Sequence, residues 1–425
     1  MRPFFALLLI PAFCCTLAAQ TAESPTNENQ ILDEDIRTPQ LHLTAASLLF
    51  PVVDIKAGNG TLTLEFDHLG TDIKDYYYTI VHCNADWQPS ELDDNQYIDG
   101  FTEDRILQVD NSFNTLINYT HYTLLLPNSN MRWSKSGNYL LKVMDNDDDK
   151  RVVLVRRFLV VEPAWGIEAQ IVKPAMVSKL NSHHEIDFSI NPKAVRVSSP
   201  EHDVMAYVVQ NGRWDNIIGP LKPYITRSDR VVYDYQDKIV FPAGQEYRFF
   251  DMSTFDYKGE YVRRIDEFDD RIEVTLQMDK NRAGYQVVNR LDINGQYVIR
   301  NKNFNQNLFQ CDYAKVLFSI ARNAPEEDAD VYVFGELTDW QLKPEFKMKY
   351  NEEVKAYYCE PLLKQGYYNY AYAVIDRKTG QMQEDGFEGN WYQTGNQYTI
   401  LTYFRPFGAR YDRLLGAVTL DSKQP

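Results

Sequence analysis

Short runs of β-branched and aromatic residues, each stopped by Gly, Pro, Asn or Asp, recur along almost the whole chain. Residues 61–66 read TLTLEF, a strict alternation, and 76–81 read YYYTIV. Residues 119–126, 139–144 and 151–161 follow in the same style. Runs of this length and spacing belong to β-sandwiches. No segment keeps a 3.6-residue apolar period between helix caps, so a helical or α/β fold is not expected. The 29 Tyr and 22 Phe of the chain fit pleated, half-buried surfaces. The expected class is all-β, a series of immunoglobulin-like or early-set sandwiches.

The length of 425 residues allows several such domains. Residues 36–163 form the first expected unit, closed by Glu162–Pro163. The second runs over 164–288, with strands expected at 185–190, 204–210, 231–235, 246–251 and 272–278. A connecting stretch over 289–307 opens the third unit, 289–425. Its strands are expected at 313–321, 330–335, 355–360, 367–375, 397–403 and 415–420. Residues 20–35 are polar and read as a flexible leader.

Arg2 precedes an apolar run from Phe4 to Ile10, and small residues close it at Ala18 and Ala19. This is the pattern of a secretory signal peptide over 1–19, which implies export. No later apolar run is long enough for a membrane-crossing helix. Cys14 and Cys15 fall within the signal. Cys83, Cys311 and Cys359 remain at wide spacing, which makes no metal pattern and leaves room for one bridge or for three buried thiols. The net charge of −16 argues against nucleic acid as a partner.

Several clusters invite a chemical reading. Asp145 to Asp149 suggests a calcium loop, but positions six and twelve, counted from Asp145, are Lys150 and Arg156 instead of Gly and Glu. A polar hairpin turn is the expectation there. His82 and Cys83 are neighbours on an expected strand and point to opposite faces, so they cannot act as a catalytic pair; a distant residue such as His121 would be needed. His183 and His184 fail as joint metal ligands for the same reason. The sequence contains no HExxH, GxSxG, P-loop or GxGxxG pattern. No catalytic residue, metal or cofactor is therefore expected, and the chain reads as a binding protein.

Residues 331–340 run VYVFGELTDW, an alternating strand that ends in Gly and an Asp–Trp pair. This resembles the start of glycogen- and starch-binding modules of the early-set type. The resemblance makes Trp340, Trp391 and Tyr392 candidates for stacking on sugar rings, so a glycan is an alternative partner. Packing of Trp340 into the sandwich core is the competing reading.

The string Tyr76 to Ser90, YYYTIVHCNADWQPS, is longer and more unusual. Together with 97–101 (YIDGF), 118–122 (NYTHY), 136–139 (SGNY) and 292–297 (DINGQY) it resembles the plug proteins of the type IX secretion system, from the envelope of the Bacteroidetes lineage. Tyr78, His82, Cys83, Asn84, Asp86, Trp87 and Pro89 carry the resemblance. It implies a periplasmic protein, held to the outer membrane by protein contacts, that closes the translocon barrel when idle. It assigns no catalytic residue. Arg132, Trp133, Arg213 and Trp214, next to turn residues, are candidate exposed anchors for such a partner, since Arg and Trp are enriched at binding hot spots.

Overall fold

The structure, a computed structural model, describes residues 27–423 except 57–59, 193, 196, 286–289, 304–307 and 384. The expected signal peptide, Cys14, Cys15 and residues 20–26 of the leader lie outside the described residues. Within the rest of the leader, Gln30–Ile31 is a strand that pairs antiparallel with Leu154 and Val155. This part of the leader is thus built into the fold, because its backbone completes the edge of a sheet.

The class is all-β, as expected, and the strands form three sandwiches. In the first, the sheet holding Tyr76–Cys83, Gly137–Asp145 and Arg151–Val161 faces the sheet holding Ile36–Leu43, Leu62–Leu69 and Tyr119–Leu126. Its core includes Leu64, Phe66, Tyr78, Ile80, Tyr122 and Leu141. Phe66 stacks on Tyr122 with ring centroids 5.0 Å apart. Burying aromatic surface of this kind is the main driving force of such a core.

The second and third sandwiches are nested, which corrects the expected serial order. Val204–Gln210 pairs with Gln397–Phe404, and Gln397–Phe404 pairs with Arg413–Asp421. The last strands of the chain therefore complete the second sandwich, where Tyr398, Ile400 and Leu415 pack with Ile186 and Phe188. Arg248–Asp251 and Ile272–Leu276, expected in the second unit, pair with strands of the third. The expected connecting stretch also holds a strand of the third sandwich, Tyr297–Ile299, paired with residues 366–368. The third sandwich is thus an insertion between two halves of the second. The two crossings are tied together: Trp391 N–H donates to the Gly244 carbonyl at 2.8 Å, and the Asn396 amide donates to the Ala243 carbonyl at 2.8 Å.

The hairpin at 145–151 follows expectation. Asp145 accepts from the Asp147 N–H at 2.9 Å, Asn146–Asp148 forms a 3-10 turn, and Gly137–Asp145 pairs with Arg151–Val161. Among the described residues no helix is long and apolar enough to cross a membrane.

Candidate functional site: the junction of the three sandwiches

A protein made of three sandwiches can hinge unless the contacts between them are built like an interior. Here they are. The first and second sandwiches share an apolar cluster of their own: Cys83, Trp87, Leu140 and Leu159 from one, Tyr207, Val209, Leu401 and Tyr403 from the other. Polar groups are matched across the same seam. Tyr403 donates its hydroxyl to Asn138 Oδ1 at 2.7 Å, and Ala85 N–H donates to Asp412 Oδ2 at 2.9 Å. The Arg157 guanidinium lies 4.3 Å over the Trp87 ring, and Trp87 meets Trp214 edge-on at 4.8 Å.

The string that carries the family resemblance lies on this seam. Cys83 ends its strand with its side chain in the shared cluster. Asn84 opens a tight turn, in which Trp87 N–H donates to the Asn84 carbonyl, and Trp87 takes a positive φ of 65° to reach its place. Pro89 bridges back to Cys83, while Asp86 is exposed and accepts from the Gln88 N–H. His82 points the other way, among Tyr97, Tyr139 and Tyr411, with Nδ1 2.8 Å from Ser90 Oγ and Nε2 3.1 Å from the Ser136 carbonyl. Burial lowers its pKa to about 4, so the ring is neutral there. Burial also pushes the Cys83 thiol up to about 12, a setting that suppresses thiolate chemistry. Tyr78 is fully buried in the first core.

The first and third sandwiches are joined by charge. Asp67, 1% exposed, accepts from Lys364 Nζ at 2.5 Å and from the Tyr313 hydroxyl at 2.6 Å, with His121 Nδ1 also 2.6 Å away. Burial alone would raise the Asp67 carboxyl; the Lys364 ammonium and His121 outweigh it and hold it below the ordinary carboxylate value. His121 is thus engaged by Asp67. Nearby, Asp312 accepts from the N–H groups of Leu116 and Ile117. Arg156 of the first sandwich reaches Asp339 of the third at 3.2 Å, and burial with the neighbouring Asp339 charge raises Glu336 to about 7.

All three sandwiches meet around a cavity of about 210 Å³, to which Arg156, Trp214, Glu336 and Trp340 each contribute a wall. Arg213 lies 4.7 Å over the Trp340 ring, and Phe334 and Tyr247 meet the ring edge-on. Trp340 is therefore committed to the junction. Tyr392 packs elsewhere, against His184 and Lys173, and Trp391 lies on the crossing between the second and third sandwiches. The three rings do not form one stacking face.

The candidate anchors are likewise drawn inward. Trp133, 9% exposed, packs on Phe158, Arg213 is 4% exposed, and Trp214 is half-buried on the seam. Only Arg132 of the four is exposed. Trp133 belongs to the first sandwich's own core and Trp214 packs on the seam between the first two sandwiches, so closeness to a turn misreported exposure. Cys83, Cys311 and Cys359 are buried, and no disulfide joins them. The described residues contain no cluster of His, Cys, Asp or Glu able to hold a metal.

Sequence reasoning missed Asp67, Lys364 and Asp412 altogether, and it met Asn138 and Asp339 only as members of longer strings. Neither strand singles out the buried charge: LTLEFDHL also carries Glu65 and His68, and Lys364 stands at the end of LLK.

The fold and its seams define a class, a multi-sandwich protein whose domains are packed into one body. Residues 36–162 match the family described as type 9 secretion system plug protein, first domain. The chain belongs to the type 9 secretion system plug protein family. The crystal structure of a hypothetical protein from Parabacteroides merdae is 34% identical, with a TM-score of 0.88 over 93% of this chain and 99% of that one. A serine-rich repeat adhesion glycoprotein from Streptococcus agalactiae aligns at 8% identity over 91% of this chain and 96% of its own, but with a TM-score of 0.14 it carries no structural argument. No curated protein matches. Membership ties the chain to type IX secretion and to the cell envelope.

Proposed function

We propose that this chain is a non-catalytic plug of the type IX translocon. It seats at the periplasmic mouth of the outer-membrane barrel and closes it when no client passes. The observation that supports this most is the welding of three sandwiches by buried contacts, above all Asp67 with Lys364. A pore stopper must hold its shape against the opening, and domains that share cores and buried ion pairs do not swing apart easily. The family-specific string then has a mechanical role: His82, Cys83, Asn84 and Trp87 build a seam and perform no chemistry. The reading includes export by the signal peptide over 1–19, residence in the periplasm and attachment to the outer membrane through protein contacts. It needs no cofactor.

Affinity isolation of the mature protein from gently solubilised envelope tests the proposal, with partners identified by mass spectrometry. Stoichiometric recovery of a very large outer-membrane barrel is the expected result. Recovery of no barrel, or a gene deletion that leaves outer-membrane permeability and secretion unchanged, would overturn it.

A further inference from the structure

The cavity at the junction of the three sandwiches has in its wall a cation without a counter-ion, Arg157. This side chain is half-buried, and its guanidinium lies 4.3 Å over the Trp87 ring and 5.5 Å over the Trp214 ring. Its Nε donates to the Asn27 carbonyl at 2.7 Å. The two terminal nitrogens have no hydrogen-bond partner among the described residues, and no carboxylate there forms an ion pair with them. Burial pulls the guanidinium down to about 10, and the charge of Glu28 offsets this only in part. A desolvated guanidinium with unused donors is costly unless an anion meets it.

The other charges around the cavity are engaged or open to water. Asp215 pairs with Arg213 at 2.6 Å, and Asp339 with Arg156 at 3.2 Å and Lys343 at 2.9 Å. Glu336 accepts from the Tyr297 N–H at 3.0 Å and is half protonated near neutral pH. Glu28 is exposed on the rim and forms no ion pair among the described residues.

The space beside Arg157 suits a flat apolar body. Phe50 packs on Trp214 with ring centroids 4.8 Å apart, and both line the cavity. Leu48 and Leu49, 36% and 48% exposed, line it too and so frame its mouth. One water needs roughly 10–15 Å³ of such space. The cavity's volume of about 210 Å³ therefore takes a small molecule, below the size of ordinary drug pockets.

We propose that this cavity binds a small aromatic carboxylate, whose carboxylate accepts from the terminal nitrogens of Arg157 and whose ring lies against Trp214 and Phe50. The planar fork of a guanidinium matches the two oxygens of a carboxylate. All three sandwiches supply walls, so the bound ligand stabilises their junction. The site does not depend on the plug reading.

Benzoate is the probe, with benzamide as its uncharged counterpart and sulfate as an oxyanion without a ring. Ligand-observed NMR reads binding, and thermal melts read the stabilisation. Benzoate is expected to bind the wild type and raise its Tm, with benzamide and sulfate weaker by about tenfold or more. Arg157→Gln is expected to weaken benzoate binding by about tenfold or more. Glu28→Gln, at an exposed position and so compatible with folding, removes a competing carboxylate and should tighten it by about two- to fivefold. Equal binding of benzoate and benzamide overturns the proposal, and so does a folded Arg157→Gln variant that binds benzoate as the wild type does. Sulfate binding as tight as benzoate overturns the assignment to an aromatic acid. If Arg157→Gln does not fold, Glu28→Gln decides: unchanged or weaker binding there overturns the proposal.

Discussion

Lys364 of the third sandwich places its ammonium 2.5 Å from the Asp67 carboxylate of the first, and the two side chains are only 2% and 1% exposed. A pair this deep is costly to break from one side, because the remaining charge stays buried without a partner. It also cannot be served by water while the sandwiches stay together.

Lys364→Met should therefore destabilise the protein by about 3–5 kcal/mol in urea unfolding. Adding Asp67→Asn should recover a large part of that loss, because the orphaned charge is then gone. If the double variant is no more stable than Lys364→Met alone, the pair does not act as a unit.

Glu336 gives stability a pH dependence of known sign. Its folded pKa, about 7, lies above the ordinary 4.5, so the folded state holds the proton more tightly than the unfolded chain. Its effect grows unfavourable as pH rises from the unfolded value through about 7. Glu336→Gln, which keeps an acceptor for the Tyr297 N–H, should be neutral near pH 4 and stabilising at pH 8 by on the order of 3 kcal/mol. Asp67 acts in the opposite sense: its lowered pKa adds stability that is present above the unfolded carboxylate value and lost as pH falls through the folded one. Thermal melts of wild type and variant across this range read both effects.

The three described thiols should be inert in the folded state. Burial raises Cys83, Cys311 and Cys359 each to about 12. A chain beginning at Asn27 should show no reaction with a thiol reagent at pH 8 until denaturant is added, and then all three should react. Fast labelling of Cys83 in native buffer would mean that the seam between the first and second sandwiches opens.

Gly295 sits at φ +80°, where an added Cβ would run into the Trp340 and Tyr247 rings. Gly295→Ala should cost about 2–3 kcal/mol through overpacking at the junction and backbone strain. Gly284→Ala, with open space around it, should cost far less. Equal effects in denaturant unfolding would show that the junction relaxes around the methyl group.

Much of the fold was legible because strand signals are local. The alternation in 61–66 and the dense β-formers in 76–81 are strands, and the Asp-rich segment at 145–149 is the turn that its side chains favour. The period of two also settled that His82 and Cys83 part company, one into a tyrosine cluster and the other into the seam. The resemblance in 76–90 pointed to the family, and residues 36–162 bear it out.

Which strands belong together was not local. Val204–Gln210 finds its partner in Gln397–Phe404, across an entire inserted sandwich, and no pattern within either strand names the other. The same limit hid the site. Leu62–Leu69 alternates apolar and polar residues, and alternation tells which side faces its own core but not what covers the other side. Here the third sandwich covers it, so Asp67 is buried against Lys364. Strands, turns and inward faces follow from side-chain period and turn chemistry, which a chain carries within each short segment. The nesting of the domains and the buried charges between them follow from contacts between residues far apart in the chain, so they emerge only when the sandwiches are assembled.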